Sequence, residues 1–362
     1  MMKQFEKFST EDVLNHISQK KIIIDVRAPV EFNQGFIPGS INLPILNDDE
    51  RKIIGTCYKT NGNEAATALG YRIVSDQNKF DKLVGWKKAI SNHPEAIVTC
   101  FRGGQRSQIT QKFLFEAGLS VARVDGGFKN IRNKYIEIIE QFCSVDLNHK
   151  LWLIAGETGS AKTKLLHELT QIPQLDLEGF AHHKGSAFGK TNKPQPAQIT
   201  FENLIAQNIY NQNQKNTFGF LIEDESRIIG SNHLPVILFD FLRRSSIVKI
   251  NEMLENRVDH IFSEYVTDED SIYLHFISCI QKISRKLGGL RSTELISDIE
   301  KARLQFQENG QKTLNKIWIE KMLVWYYDPM YQYSLSLRNP KVLFQGNYLE
   351  VKQYLMNEYS KK

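Results

Sequence analysis

Residues 151–163 read LWLIAGETGSAKT, and their pattern is the clearest structural signal in the chain. The apolar run Leu151–Ala155 is short and bounded by polar residues, which is typical of a buried strand. Gly156 and Gly159 follow and permit a tight turn, and a helix is predicted to begin over Lys164–Leu169. The order of strand, glycine-rich turn and helix predicts a loop whose backbone amides wrap an anionic group.

The spacing Gly156-x4-Ala161-Lys162-Thr163 resembles a P-loop. In that reading Lys162 adds a point charge to a bound phosphate and Thr163 reaches a metal ion. The predicted phosphate-binding residues are Gly156, Thr158, Gly159, Ser160, Ala161, Lys162 and Thr163. Ala161 stands where the motif has glycine, and its methyl group demands a modest backbone adjustment. No motif for a nucleotide base is evident, so the loop suits any diphosphate.

A second predicted strand supplies acids for this loop. Residues 218–222 are apolar and lead into EDESR at 223–227. By analogy with P-loop enzymes, Glu223 or Asp224 is the candidate for holding a metal-bound water. The requirement for Mg²⁺ stays open, and no metal-ligating side-chain set is predicted.

A cysteine forms the centre of a second anion-binding loop. Residues 97–107 read IVTCFRGGQRS, in which a β-branched strand over Ile97–Thr99 ends at Cys100 and a helix is predicted over Ser107–Ala117. The loop glycines let backbone N–H groups point inward, and its arginines can hold an oxyanion bidentately. These loop residues are Arg102, Gly103, Gly104 and Arg106. We expect this positive field to lower the pKa of Cys100, the predicted catalytic residue.

The composition excludes several classes of protein. The 362 residues carry 46 Lys+Arg against 41 Asp+Glu, with 41% hydrophobic residues, which is a globular composition long enough for two domains of about 150 residues. No apolar run reaches the roughly 18 residues that span a bilayer, and the N-terminus has no apolar signal region. Cys57, Cys100, Cys143 and Cys279 contain no CxxC pair, which excludes a zinc ribbon. We therefore expect a cytoplasmic protein with no membrane partner.

The cysteine loop resembles that of rhodanese domains. Asp25–Pro44, DVRAPVEFNQGFIPGSINLP, is similar to their first signature, and Asp125-Gly126-Gly127 is similar to the segment that closes their fold. The spacing Cys-x5-Arg gives a loop one residue longer than the common sulfurtransferase loop and matches the phosphatase pattern as well. The motif alone leaves chalcogen transfer and phosphoester hydrolysis open, although Thr99 stands where phosphatases commonly have histidine.

Together these patterns predict an α/β protein of two domains with parallel sheets. Residues 1–145 form a rhodanese-like domain that carries the cysteine loop. Residues 146–362 form a P-loop NTPase-like domain, whose amphipathic stretches beyond residue 250 predict a helical C-terminal extension. The clearest such helices are Ile272–Leu287 and Thr293–Phe306, with Gly288-Gly289 as the stop between them.

This combination resembles the bacterial tRNA 2-selenouridine synthase family over nearly the whole chain. The specific stretches are Glu50–Lys59, Asp176–Gly189, Glu223–Gly230 and Tyr326–Tyr331. The resemblance implies a selenotransferase and geranyltransferase that acts on the wobble 2-thiouridine of a tRNA anticodon loop. Geranyl diphosphate first alkylates the sulfur, and selenophosphate then delivers selenium. The implied partners are tRNA and an enzyme that supplies selenophosphate, with no tightly bound cofactor.

Three assignments follow from the resemblance. Cys100 takes part in the selenium step, the P-loop holds the diphosphate of geranyl diphosphate, and Asp176–Gly189 with the C-terminal basic helices contacts tRNA. Aromatic and methionine side chains at helical spacing serve either as core or as a prenyl pocket, namely Trp318, Met322, Trp325, Tyr326 and Met330. Two alternatives remain: a sulfurtransferase or phosphatase fused to a nucleotide-binding module, and a non-enzymatic RNA-binding sensor.

Overall fold

The computed structural model describes residues 6–144, 150–213 and 219–361. The first range contains β1 (Lys7–Phe8), α1 (Thr10–Ser18), β2 (Ile23–Asp25), α2 (Pro29–Asn33), β3 (Ser40–Asn42), α3 (Asp48–Ile73), α4 (Asp76–Asn92), β4 (Ile97–Thr99), α5 (Gln105–Glu116), β5 (Arg123–Val124) and α6 (Gly127–Phe142). The second contains β6 (Lys150–Gly156), α7 (Lys162–Glu168), β7 (Gln174–Leu175), α8 (Leu177–Ala181) and α9 (Gln198–Asn213).

The third range supplies most of the strands of a second sheet and the C-terminal helices. It contains β8 (Gly219–Glu223), β9 (Ile228–Ile229), β10 (Asn232–His233), α10 (Val236–Arg244), β11 (Ile247–Ile250), α11 (Leu254–Tyr265), α12 (Ser271–Leu287), α13 (Gly289–Asn309), α14 (Asn315–Met322), a π-helical turn (Leu323–Tyr327), α15 (Asp328–Arg338), β12 (Val342–Gly346) and α16 (Tyr348–Ser360). No helix in the described ranges is long and apolar enough to cross a membrane.

The chain forms two compact units. The described residues of the first lie within Met1–Phe142 and Pro196–Lys215, and those of the second lie within Cys143–Gln195 and Asn216–Lys362. The predicted domain boundary at residue 145 falls among residues outside the described ranges. Helix α9 belongs to the first unit although it follows the P-loop in the chain.

The first unit is built on a parallel five-stranded sheet in the order β1-β5-β4-β2-β3. Helix α9 packs on α6 within this unit: the Tyr135 hydroxyl donates to Gln207 Oε1 at 2.6 Å, and Arg132 forms an ion pair with Glu202. Helix α3 is broken at Gly62, whose φ of 82° is left-handed. Its two segments lie on one side of the cysteine loop and line a cavity there.

The second unit holds a parallel five-stranded sheet in the order β12-β11-β6-β8-β7. The mixed α/β class with parallel sheets in both halves is therefore confirmed. The helical C-terminal region is also confirmed, and Gly288, with φ 94°, ends α12 as predicted. One element is absent from the prediction: β12 is a short edge strand, and its three apolar residues, 342–344, are too short a run to distinguish a strand from a helix.

Candidate functional site

The phosphate loop lies between β6 and α7 in the second unit, as the motif predicts. An added Cβ at Gly156 would approach Ser160 Oγ to 2.5 Å, and one at Gly159 would approach Arg257 O to 2.9 Å. Both positions therefore exclude a side chain. Ala161 takes a left-handed backbone, with φ 63° and ψ 33°, where the motif has glycine. An L-residue costs about 1 kcal/mol in that conformation, so the methyl group is accommodated as local strain.

Three carboxyl groups surround the helical end of this loop. Thr163 Oγ1 lies 2.6 Å from Glu223 Oε1 and 3.2 Å from Glu178 Oε2, and Lys162 Nζ donates to Gly156 O at 3.0 Å. Burial, together with Glu225, raises the pKa of Glu178 to about 9 and the pKa of Glu223 to about 8. Lys162 and the Thr163 hydroxyl oppose both shifts. Carboxyl groups with raised pKa values beside a lysine are typical of a functional site.

The structure separates the two predicted acids. Glu223 is fully buried and contacts Thr163, whereas Asp224 Oδ1 accepts a hydrogen bond from Arg338 Nη1 at 2.6 Å. Arg338 also donates to the backbone carbonyls of Leu242 and Arg243. Arg338 therefore links α15 both to the end of α10 and to Asp224, and Glu223 is the acid that contacts the loop.

A cavity of about 630 Å³ opens from the phosphate loop into the helical region of the same unit. At one end it is lined by loop residues and carboxyl groups, including Lys162, Thr163 and Glu178. At the other end the wall is apolar and comes from α11, α12, α14, the π-helical turn, α15 and the chain at residue 188: Ile261, Phe276, Phe188, Trp318, Met322 and Met330. One chamber thus joins an anion-binding end to an apolar end.

The aromatic and methionine side chains that were predicted to form either core or a prenyl pocket differ in where they lie. Trp318 and Met322 are 3% and 2% exposed, so they are core residues, and they also line the cavity together with Met330. Trp325 instead stacks under Arg291, at 5.5 Å, and Tyr326 is buried in the helical core.

The cysteine loop lies in the first unit at the end of β4. Cys100 is 3% exposed, and its Sγ lies 3.2 Å from the buried Ser107 Oγ. Gly103, with φ 62°, approaches the 124–127 segment so closely that a Cβ would lie 2.6 Å from Val124 O. The Phe128 amide donates to Cys100 O at 2.9 Å. Asp125-Gly126-Gly127 therefore closes against this loop, as the resemblance implies.

The two loop arginines differ in what they contact. Arg106 forms a two-point ion pair with Glu31, at 2.5 and 3.1 Å, and Glu31 also pairs with Arg51 at 3.1 Å. Arg102 is exposed and stacks on the Phe101 ring at 5.7 Å, with no ion pair among the described side chains. Arg102 is therefore the loop cation that is open to an anion, while Arg106 braces the loop against α2.

The adjacent histidines and two of the other cysteines have the following surroundings. His182 Nδ1 donates to Pro194 O at 2.8 Å, and burial lowers the pKa of His183. Burial raises the pKa of Cys143 to about 12 and also raises that of Cys279. No group of three or more metal-ligating side chains occurs in the described parts of the chain.

Several site residues carried no role in the sequence prediction. Glu178 lies in the Asp176–Gly189 stretch, and Asp328 lies in the Tyr326–Tyr331 stretch, so the family resemblance drew attention to both without assigning their chemistry. For Ser107 the sequence predicts only the first residue of a helix. Arg257 belongs to no motif, and only the structure shows it buried beside the phosphate loop.

The two sites define a class: a rhodanese-like domain with a cysteine-centred anion loop, joined to a P-loop domain. Two family models agree, a rhodanese-like domain over residues 9–134 and the AAA domain of tRNA 2-selenouridine synthase over residues 149–362. Among known proteins, tRNA 2-selenouridine synthase of Bdellovibrio bacteriovorus is 42% identical, covering 95% of this chain and 97% of that protein. The enzyme of Nitrosomonas europaea is 42% identical, with 92% and 94% covered.

A third relative, tRNA 2-selenouridine synthase of Cronobacter sakazakii, is 37% identical and covers 97% of this chain and 96% of that protein. The chain therefore belongs to the tRNA 2-selenouridine synthase family and is an enzyme. The resemblance stated from the sequence is confirmed.

Proposed function

We propose that this enzyme converts the wobble 2-thiouridine of tRNA into 2-selenouridine by way of S-geranyl-2-thiouridine. Geranyl diphosphate and selenophosphate are the co-substrates. The observation that carries the proposal is the chamber in the second unit, which joins a phosphate loop to an apolar wall. A nucleotide would need polar contacts for its base, whereas an apolar wall suits a prenyl chain.

Geranyl diphosphate fits this chamber with its diphosphate at the phosphate loop and its hydrocarbon chain at the apolar end. Its diphosphate takes the amides of the loop and the charge of Lys162, and its ten-carbon chain lies along Trp318, Met322 and Met330. The volume of about 630 Å³ falls in the range of small-molecule sites. Burying a prenyl chain contributes about 0.8 kcal/mol per methylene, so the apolar end gives both affinity and selectivity.

Mg²⁺ fits the acidic end of the loop. Glu223 Oε2 is buried with no hydrogen-bond partner found for it among the described residues, and Glu223 Oε1 already contacts Thr163. Thr163 and Glu223 would hold the ion together with the diphosphate. When bound, a divalent cation supplies positive charge that stabilises a departing diphosphate. Glu178 lies within reach of the same hydroxyl.

Selenophosphate is the proposed anion at the cysteine loop. The backbone around Gly103 and Gly104, the start of α5 and the exposed Arg102 suit a tetrahedral dianion. Cys100 stands at the centre of this loop and takes part in the selenium step. An enzyme that supplies selenophosphate is a proposed partner.

The chemistry balances over two steps. In the first, the 2-thio sulfur forms a bond to C1 of the geranyl group, diphosphate leaves and the N3 proton is lost. In the second, selenium adds to C2, the C–S bond breaks and geranylthiol leaves with a proton. Water takes the phosphoryl group of selenophosphate, and N3 regains its proton. Alkylation is needed because a thioether sulfur departs as a thiol.

Basic side chains of α12 are the proposed tRNA contacts in the second unit. Lys282, Arg285 and Lys286 are exposed, and no ion pair holds them within the described ranges. The Asp176–Gly189 segment, predicted to touch tRNA, contributes Glu178 and Lys184 to the cavity wall, where Lys184 pairs with Glu264 at 2.7 Å. Its contact with tRNA remains a prediction.

The direct test is nucleoside analysis by mass spectrometry. The enzyme is incubated with tRNA that contains 2-thiouridine, with geranyl diphosphate alone and then with selenophosphate added. We expect S-geranyl-2-thiouridine in the first reaction and 2-selenouridine in the second. Absence of the geranylated nucleoside, with 2-selenouridine formed without geranyl diphosphate, would overturn the proposed route.

A further inference from the structure

A cavity of about 740 Å³ lies in the first unit, beside Cys100. It is bounded by the cysteine loop, by α5 and by both segments of α3 on either side of Gly62. Selenophosphate at the loop would fill only a small part of this volume. The rest of the cavity volume therefore has space for a second, larger group.

The wall of this cavity away from the loop is apolar. It is formed by Ile54, Tyr58 and Tyr71 of α3, by Ile109 and Phe113 of α5, and by Val74. Phe113 and Val74 are buried in the core of this unit, so the wall has a rigid backing. A wall of this kind recognises a hydrocarbon chain or the face of a base.

The rim of the same cavity is basic. Five cationic side chains line it against one carboxylate, Glu31. Glu31 engages Arg51 and Arg106. Lys52, Lys59 and Arg102 are exposed and form no ion pair within the described residues. An RNA loop matches this arrangement if one of its nucleosides enters the apolar cavity. The phosphates on either side would then remain outside the cavity and contact the unpaired cations of the rim.

We infer that this cavity binds the S-alkylated nucleoside, with the geranyl chain of S-geranyl-2-thiouridine against α3 and α5 and the flanking phosphates on the basic rim. The inference rests on the proposed function. It places the carbon that loses sulfur beside Cys100 and the departing geranylthiol in an apolar surrounding. The enzyme would then recognise the same chain twice, as a diphosphate ester in the second unit and as a thioether in the first.

The charges of the two cavities support this division. The cavity of the second unit is lined by four acidic side chains and five Lys or Arg side chains, and Arg338 and Lys184 are paired with Asp224 and Glu264, so its charges nearly balance. The cavity beside Cys100 has an excess of cations and suits RNA phosphates directly. Geranyl diphosphate thus fits the cavity of the second unit, and the geranyl thioether on RNA fits the cavity beside Cys100 in the first unit.

The test measures binding of the full-length enzyme to synthetic anticodon stem-loops without selenophosphate. The stem-loops carry 2-thiouridine, S-methyl-2-thiouridine or S-geranyl-2-thiouridine, and affinity is read by fluorescence anisotropy at fixed salt. Burial contributes about fourfold per methylene, so a partly buried chain should give the geranyl RNA at least about tenfold tighter binding than the methyl RNA. Equal affinities for the two RNAs would overturn the inference.

A competition arm identifies which cavity holds the chain. Saturating geranyl diphosphate occupies the chamber of the second unit and should leave the tenfold gain unchanged. If geranyl diphosphate abolishes the gain, the thioether chain uses the second unit and the inference is wrong. Because the RNA is geranylated chemically, this readout does not depend on the geranylation activity of the enzyme. If the enzyme binds geranyl RNA more tightly than methyl RNA but does not geranylate 2-thiouridine, only the proposed function is overturned.

Gly55→Phe fills the cavity from α3. A Cβ at Gly55 meets no atom within 4 Å, so the substitution extends into open space on the cavity wall. We expect the gain for geranyl RNA, measured against methyl RNA in the same variant, to fall below about threefold. Ile53→Phe is the matched control, since Ile53 is 53% exposed on the same helix and outside this wall. A full gain in Gly55→Phe would contradict the inference.

Discussion

Asp328 accepts hydrogen bonds from both terminal nitrogens of Arg257, at 2.9 and 2.7 Å, and Arg257 is 2% exposed. Arg257 Nη1 also donates to Glu157 Oε2 at 2.5 Å. Glu157 follows the first glycine of the phosphate loop, so one buried cation joins this loop, α11 and the start of α15. Burial raises the pKa of Asp328 to about 6, even though Arg257 lowers it.

This ion pair predicts that Arg257→Leu lowers the free energy of unfolding more than Asp328→Asn does. Arg257→Leu leaves two carboxylates without their cation and should cost about 3 kcal/mol at pH 7.5, whereas Asp328→Asn leaves Glu157 paired and should cost less. Without Arg257 the pKa of Asp328 in the folded protein rises further above its unfolded value of 3.8. The buried carboxyl therefore lowers the free energy of unfolding as the pH rises from 3.8 to the pKa in the folded protein. The loss in Arg257→Leu should therefore shrink at pH 5. Urea unfolding at both pH values measures this, and an equal loss would contradict it.

Lys162→Ala should weaken geranyl diphosphate binding by about 10- to 100-fold, because a charge-assisted hydrogen bond to phosphate contributes about 1.5–3 kcal/mol. Lys164→Ala is the matched control on the same helix, where Lys164 is an exposed partner of Glu168. Calorimetric titration compares the two variants. Equal losses in both would point to general electrostatics in place of a specific loop contact.

The apolar end of the chamber predicts a selective effect of Met330→Ala. Met330 is 48% exposed and lines the cavity, so losing its side chain should weaken geranyl diphosphate binding by about fivefold, or about 1 kcal/mol. The affinity for inorganic diphosphate should not change. Met356→Ala, on α16 and outside this wall, should affect neither ligand. A parallel loss for inorganic diphosphate would argue against a prenyl-binding role.

The carboxyl groups beside Thr163 predict that Mg²⁺ binding depends on pH. With pKa values of about 9 for Glu178 and about 8 for Glu223, both are protonated at pH 7 in the metal-free enzyme. The unfolded chain loses these protons near pH 4.5, so they lower stability as the pH rises from about 4.5 to 9. A cation must displace protons, so Mg²⁺ affinity should increase between pH 7 and 9.

Thermal shift with Mg²⁺ and diphosphate at pH 7 and pH 9 checks this dependence. Glu223→Gln should reduce the Mg²⁺-induced shift at both pH values and flatten its rise, since the neutral amide removes the ligand charge and the proton together. A wild-type shift that is the same at pH 7 and pH 9 would show that these carboxyl groups are ionised before the cation binds.

Cys100→Ser should abolish selenouridine formation from chemically geranylated tRNA while leaving geranylation intact, because the two loops belong to different units. Cys57→Ser is the control. Ser107→Ala removes the hydroxyl 3.2 Å from the Cys100 sulfur and should slow the selenium step by about tenfold while leaving geranylation unchanged. An equal loss in both steps would assign Ser107 a purely structural role.

Much of both loops could be predicted because each is a continuous stretch in which strand, glycine turn and helix follow directly. Backbone preference and local spacing are short-range properties, so the loop positions of Cys100, Lys162 and Thr163 are predictable from the chain alone. The same locality accounts for the stop of α12 at Gly288 and for the strand that ends at Thr99.

What the chain alone did not show depends on contacts between distant segments. Helix α9 follows the P-loop yet packs with the first unit, where the Tyr210 hydroxyl donates to Glu11 at 2.6 Å. Likewise, Arg257 and Asp328 meet across 71 residues, and only folding brings Glu178 to Thr163. An amphipathic pattern shows that a face is buried but does not show against which partner. Tertiary packing chose those partners, and with them the shapes and charges of both cavities.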